Sequence, residues 1–288
     1  MNKRSLRTGL LFISPWIVGF VVFTAYPVFA SLYYSLTDYS MIGTPRFVGL
    51  QNYVNLFSDK VFLTSLANTL YMVVIGLSFI TVSTVTIAIL LNNRRIKGLS
   101  FFRVVFFLPT LVPTVVLSVL WIWILEPDTG LINSILHLFG IPGPGWLASP
   151  AWAKPSFILM ALWGAGNMII IYLAGLQDIS PALYEAASLD GANAWQKAVH
   201  ITVPMLRPVI VFNVITGLIG TFQSFAEAFI MTNGGPNNAT LFYSLYLYEN
   251  AFQYFKIGYA SAMAWILLII VLGCTVLLLK FSHQLRPE

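Results

Sequence analysis

Residues 180–208 read SPALYEAASLDGANAWQKAVHITVPMLRP. It is a polar island between two long apolar runs, and its interior has helix grammar. Ser180 suits an N-cap and Pro181 the first helical position, and Ala182-Leu183-Tyr184-Glu185-Ala186-Ala187 are mostly good helix formers. Asp190-Gly191 then breaks the helix, because glycine accepts the positive φ that turns a corner. A second amphipathic helix is expected over residues 192–203, running into Pro204 and Pro208, neither of which supplies a backbone donor. An ordered polar hairpin between membrane spans implies that something docks on it.

Composition explains why the flanks are membrane spans. The chain has 288 residues, 58% hydrophobic and 9% charged, with a mean hydropathy of +0.82. A soluble domain carries about 25% charged residues, so this chain belongs in a bilayer. Its formal charge of +5 is carried at loop ends rather than on one face, which points to membrane orientation and away from nucleic acid. The single Cys274 lies in an apolar run and excludes an intrachain disulfide or a cysteine-based metal site. The expectation is one integral membrane domain over residues 1–288.

Six runs are long enough to cross a hydrocarbon layer of roughly 30 Å, which takes about 20 helical residues. They lie at 10–36, 68–91, 102–125, 156–176, 209–230 and 257–279. Helices are preferred because every backbone group in lipid must be satisfied within the segment. The runs are continuous rather than alternating, which argues against a β-barrel. The fold class expected is therefore all-α, a polytopic membrane protein with about six transmembrane helices and a cytoplasmic helix–turn–helix. Lys3, Arg4 and Arg7 precede an apolar stretch reaching Val28-Phe29-Ala30, a passable signal-peptidase site. That stretch exceeds a typical signal core of about 7–15 residues, so a retained first span is expected.

With the N-terminus inside, the inner segments hold Lys3, Arg4, Arg7, Arg94, Arg95, Lys97, Arg103, Lys197, Arg207, Lys280 and Arg286. The outer segments hold only Arg46, Lys60, Lys154 and Lys256. This positive-inside bias puts both termini and the hairpin on the cytoplasmic side, where ATP is available. The outer segments carry Phe47-Val48-Gly49-Leu50-Gln51-Asn52-Tyr53, and Trp146 and Trp152 around Pro142-Gly143-Pro144-Gly145. Both read as interfacial anchors. A sharp turn is expected at Thr232-Asn233-Gly234-Gly235-Pro236.

Catalysis finds no support. No Gly-x-x-x-x-Gly-Lys-Ser/Thr string is present to cradle nucleotide phosphates. His137, His200 and His283 are far apart and suggest no metal site, and no nucleophile motif occurs. The expectation is a non-enzyme that binds no cofactor itself. Polar residues within spans mark a solute path, since lipid disfavours them. The fourth span has Gly164, Gly166 and Asn167; the fifth has Asn213, Thr216, Gly217, Thr221, Gln223, Ser224 and Glu227. On a continuous helix Thr221, Ser224 and Ala228 share a face, and Gln223 and Glu227 make an i, i+4 pair. Trp163, Phe222 and Phe225 could offer flat apolar faces to a solute on that path.

Glu185-Ala186-Ala187, Asp190-Gly191-Ala192, Ile201-Thr202-x-Pro204 and Pro208 together resemble the EAA loop of bacterial ABC-importer permeases. FVGLQNY at 47–53, MTNGGP at 231–236 and Tyr248-Glu249-x-Ala251-Phe252 are similar to the carbohydrate-uptake branch, the maltose and glycerol-3-phosphate permease type. One departure is Ala198, where an aromatic is common three residues after the tryptophan. The resemblance implies that Glu185, Ala186, Ala187, Asp190, Gly191, Ala192 and Pro204 belong to a coupling element seated on an ATP-hydrolysing subunit. It implies two P-loop ATPase subunits carrying ATP and Mg, a second related permease, an extracytoplasmic solute-binding protein and a carbohydrate solute. It also carries sugar contacts to Gly164, Asn167, Gly217, Gly220, Thr221 and Ser224. The competing reading is a stand-alone secondary transporter. That class often shows inverted repeats and intramembrane acids, whereas this sequence has no internal repeat and only Glu227 as an acid within a span.

Overall fold

The structure is a computed structural model that describes residues 3–93 and 97–284; Arg94, Arg95 and Arg286 of the charge asymmetry lie outside the described residues. Among the described residues, four helices are long and apolar enough to cross a membrane: Gly9–Ser35, Lys60–Asn92, Ala194–Phe222 and Ile257–Ser282. Two bent pairs, Leu99–Leu111 with Thr114–Ile124 and Pro150–Trp163 with Gly166–Gln177, bring the number to six if each pair is one span. The expected all-α class holds.

The bends and the continuations both trace to proline and glycine. The third run bends by 107°. Val112 is extended there (φ −81°, ψ 124°) because the ring of Pro113 disfavours the helical conformation in the residue before it. The fourth run bends by 49° at Gly164-Ala165, and it begins at Pro150, six residues before the expected Ser156. Pro204 and Pro208 behave differently from expectation. The helix that starts at Ala194 does not stop at them but runs through to Phe222. A π-helical turn over Ala198–Thr202 precedes Pro204 and rearranges the hydrogen-bond ladder where that proline withholds a donor. The first span uses the same device, with a π turn at Val21–Ala25 ahead of Pro27.

Contacts divide the chain into two compact units, residues up to Phe62 with Tyr246–Ile269, and Leu63–Leu245 with the residues from Ile270 onward. In the first, Thr37–Asp38 pairs antiparallel with Arg46–Phe47. Asn52 Nδ2 donates to the Ser35 and Thr37 carbonyls at 2.9 and 2.8 Å. The Asp59 carboxylate accepts from the Tyr246 and Tyr259 hydroxyls at 2.6 and 2.7 Å and from the Val61 amide at 2.8 Å. Partial burial pushes the Asp59 pKa up, but these donors outweigh it and hold it below the ordinary carboxylate value.

The core of the second unit lies where the helices Leu77–Asn92, Gly166–Gln177 and Val203–Phe222 meet. Val85, Ala88 and Leu91 pack with Ile169, Tyr172, Leu173 and Leu176 and with Leu206. Small residues set how closely these backbones approach. A methyl on Gly166 would run into the Phe106 carbonyl and come within 2.8 Å of Thr110 Cγ2. The turn after Met231 is tied to the second span. Asn68 Nδ2 donates to the Asn238 and Leu241 carbonyls at 2.6 and 3.2 Å, and Lys154 Nζ donates to Asn68 Oδ1 at 3.0 Å.

Two stability tests follow from this packing. Gly166→Ala should lower stability by about 1–3 kcal/mol, the usual range for overpacking, measured by thermal unfolding in detergent. Gly220→Ala, whose added carbon meets nothing within 4 Å, is the control and should leave stability unchanged. For Asp59 the folded pKa is depressed, so its stabilisation is present above the unfolded value near pH 3.9 and is lost as pH falls through the folded value. Asp59→Asn should flatten the acid limb of the stability–pH curve below about pH 4.

Candidate functional site

The expected functional residues fall into two groups, which the structure sorts by position. The first group gathers at a cavity of about 310 Å³ in the second unit, where the broken fourth run crosses the fifth span. Seven of the eight expected path residues line it: Gly164, Asn167, Gly217, Gly220, Thr221, Ser224 and Glu227. Gln223 does not, because the helix ends there (φ −95°, ψ 3°) and a new short helix, Ala226–Met231, starts beyond Phe225. That break also separates Gln223 and Glu227, so the i, i+4 pair expected on a continuous helix is not formed. Glu227 instead accepts from Ser224 Oγ at 3.2 Å.

The two central glycines act differently. A side chain on Gly217 would meet Leu77 Cδ1 at 2.6 Å and Met168 Cε at 3.0 Å, so Gly217 serves helix approach. Gly220 faces open space and gives the cavity its volume. Thr221 Oγ1 donates back to the Gly217 carbonyl at 2.8 Å and keeps its lone pairs for another donor. The Asn167 amide is exposed and has no hydrogen-bond partner among the described residues. An amide, two hydroxyls and a carboxylate on an otherwise apolar wall suit a neutral solute held by a few orienting hydrogen bonds.

The aromatic expectation is corrected. Phe222 is fully buried in packing, Phe225 stacks on Phe229 with centroids 5.4 Å apart, and Trp163 meets Trp121 edge-on at 6.1 Å. None of the three lines the cavity; Phe157 and Phe242, edge to face at 5.5 Å, do. Met72, Leu77 and Ile80 from the second span complete the wall. Sequence reasoning missed these residues because an apolar side chain in an apolar span looks the same whether it faces lipid, core or cavity.

The second group forms a helix, a turn and a helix. Pro181–Leu189 is helical, and Gly191 has φ +79°. Asn193 caps the next helix through a reciprocal box: its side chain accepts from the Gln196 amide at 2.9 Å, and its own amide donates to Gln196 Oε1 at 2.8 Å. Ser180 precedes the first helix without a side-chain cap bond. The arms are tied by Tyr184 Oη to Thr202 Oγ1 at 3.0 Å and by Lys197 Nζ to Ser188 Oγ at 2.6 Å. Asp190, Gly191, Ala192 and Ala187 line a small hollow between the arms, together with Lys197 and His200. Glu185 faces another crevice, shared with Arg103, Gln177 and Tyr184. Ala186 is exposed on the same helix, and Pro204 lies inside the long helix at the foot of the hairpin. At the tip, Leu189 is 90% exposed and Trp195 76%. Covering large apolar side chains of this kind gains about 2 kcal/mol each.

Comparison with known proteins gives these positions a context. Residues 84–285 match the family described as "Binding-protein-dependent transport system inner membrane component". The chain is 40% identical over 290 residues to a probable ABC transporter permease protein, YesP, of Bacillus subtilis, covering 98% of this chain and 93% of the relative. It is 37% identical to the lactose transport system permease protein LacF of Rhizobium radiobacter, covering 91% and 90%. Among solved structures it resembles a chain of a bacterial alginate ABC transporter in complex with an alginate pentasaccharide-bound periplasmic protein. The TM-score is 0.85 at 25% identity, covering 98% of this chain and 96% of that one.

Filling the cavity tests its geometry. In a Cys274→Ser background, Ser224→Cys should react with a small water-soluble thiol reagent, and adding Gly220→Trp should suppress that reaction while the unfolding temperature stays the same.

Proposed function

The chain belongs to the family of binding-protein-dependent transport system inner membrane components, and from that premise we propose that it is one permease subunit of an ATP-driven carbohydrate importer. The observation that carries the reading is the convergence of Asn167, Thr221, Ser224 and Glu227 on one cavity between two spans. Sugar recognition needs such hydrogen-bonding groups on an apolar wall. The sugar-transport names of relatives such as the lactose permease support the same solute class.

In this reading the cavity is one half of a translocation path, and a second, related permease supplies the other half. An external binding protein delivers the solute, as the alginate system's structure suggests. Two P-loop ATPase subunits carry ATP and Mg and seat the 180–208 hairpin from the cytoplasm. Leu189 and Trp195 supply its apolar contact, Glu185 its polar one, and Gly191 the corner between its helices. A short helix in a partner's groove transmits rigid-body motion when that partner closes on ATP. The excess of lysine and arginine on the inner segments supports a multi-pass placement in the bacterial inner membrane with both termini cytoplasmic.

The test is a pull-down of tagged chain from detergent-solubilised native membrane beside a Glu185→Ala/Gly191→Trp double variant. Wild type should recover a P-loop ATPase and a second permease. The variant should lose the ATPase and keep the permease. Recovery of the chain alone, from membranes where uptake is active, would overturn the importer reading in favour of a stand-alone transporter.

A further inference from the structure

The first structural unit contains a second cavity, of about 360 Å³, that the translocation path does not use. Its walls come from three stretches: the residues after the first span, the helix Gln51–Ser58 with Asp59, and the segment from Tyr246 to Tyr259. The charge asymmetry assigns all three to the outer side of the membrane.

The floor of this cavity is built from polar groups in fixed positions. Asn52 is 8% exposed and Asn250 1%. Asn52 donates through Nδ2 to the Ser35 and Thr37 carbonyls, and Asn250 through Nδ2 to the Tyr246 carbonyl at 2.8 Å. These bonds fix each amide with its oxygen unclaimed: among the described residues neither Oδ1 accepts a hydrogen bond, and both residues line the cavity. Asp59 is pinned beside them by the Tyr246 and Tyr259 hydroxyls. The rim adds Asp38, Asn55 and Lys256, all exposed.

Neither oxygen is sealed in without a donor, so both are open to solvent, and two immobilised amide acceptors on residues lining one hollow suit an occupant rich in donors. The walls narrow the choice of occupant. Tyr39, Tyr246 and Tyr259 line the same hollow, and aromatic side chains beside hydrogen-bond acceptors are the combination that receives a sugar ring with its hydroxyls. Asp38 and Asp59 give the hollow two negative charges and Lys256 one positive, with the ammonium on the rim able to donate to a ring or hydroxyl oxygen. A metal ion fits poorly: among the described residues no three histidine, cysteine or acidic side chains are grouped to hold one.

We propose that this cavity is an outer saccharide subsite, in which Asn52 and Asn250 accept from sugar hydroxyls and Lys256 donates from the rim. The proposal rests on the importer reading for the class of solute, and it places a second contact for that solute on the extracytoplasmic side, apart from the cavity lined by Asn167 and Glu227. Such a subsite holds solute near the entrance and adds specificity before translocation begins.

The experiment uses the assembled transporter in lipid nanodiscs, without ATP or binding protein, in a Cys274→Ser background. An environment-sensitive fluorophore is attached at Asn55→Cys on the rim, and lactose, maltotriose and an arabinotriose are titrated in turn. At least one sugar should give a saturable signal, retained when Gly220→Trp fills the other cavity. Asn250→Leu should abolish it, and Lys256→Ala should raise the half-saturating concentration by about tenfold, the weight of one hydrogen bond involving a charged group. The exposed rim change Lys256→Ala guards against a folding artefact of Asn250→Leu. A signal indifferent to both variants, or no signal in an assembly that takes up one of these sugars, overturns the subsite and leaves the importer standing. A saturable, variant-sensitive signal in an assembly that shows no ATP-dependent uptake supports the subsite while the importer reading fails.

Discussion

In a bilayer each backbone N–H and C=O must find its partner inside the protein, and the structure depends on this constraint more than on any single contact. Proline violates it locally and so marks where the chain departs from a straight span. At Pro113 the violation is resolved by breaking the helix and turning it by 107°. At Pro27 and Pro204 it is accommodated within the helix, with a π turn just ahead of the ring. The same residue type therefore gives a corner in one place and a continuous rod in another. The difference lies in the residue before the ring: Val112 adopts an extended backbone, whereas Val203 stays helical at φ −63° and ψ −45°.

The cavity is a product of these departures. The Gly164-Ala165 bend turns the fourth run by 49° beside the fifth span, and the fifth span stops at Phe222 just past Gly220 and Thr221. Two interrupted helices leave space that two straight ones would fill. Gly220 keeps that space open, and Gly217 lets Leu77 and Met168 pack close against the helix. At about 310 Å³ the cavity is at the low end of the size range for ligand sites. In the proposed importer, such a volume suits half of a path shared with a second subunit.

Much of this was legible in the sequence because the relevant signals are local. Span existence follows from length and hydropathy, and the positive φ at Gly191 follows from a turn that only glycine enters freely. Asn167, Thr221 and Ser224 were visible as polar residues where lipid disfavours them. What was not legible depends on which neighbour a residue meets. Phe157 and Phe242 carry no polar signal, so their place on the cavity wall was hidden, while Phe222 drew attention and proved buried in packing. The helix break after Phe222 has no proline to announce it, so the sequence alone leaves Gln223 among the path residues. The helix across Pro204 and Pro208 is hidden for the opposite reason: both rings suggest a stop, yet a π turn accommodates Pro204 and the helix runs on through Pro208. The acceptor floor at Asn52 and Asn250 joins residues far apart in the chain and has no sequence signature.

The continuity across Pro204 has a mechanical consequence in the proposed importer. The second arm of the hairpin and the fifth span are one helix, Ala194–Phe222. Trp195 lies at its start and Thr221 at its end, and at 1.5 Å per residue they stand roughly 40 Å apart along one axis. A partner that grips the exposed Trp195 therefore holds the same rod that carries Gly217, Gly220 and Thr221 at the cavity. No loop intervenes to absorb a displacement, so tilting the hairpin moves the cavity wall directly. The π turn at Ala198–Thr202 is the one irregular stretch along the rod. The hydroxyl of Thr202 there bonds to Tyr184 on the other arm. That bond braces the irregular turn from the side, so the hairpin and the span move as a unit.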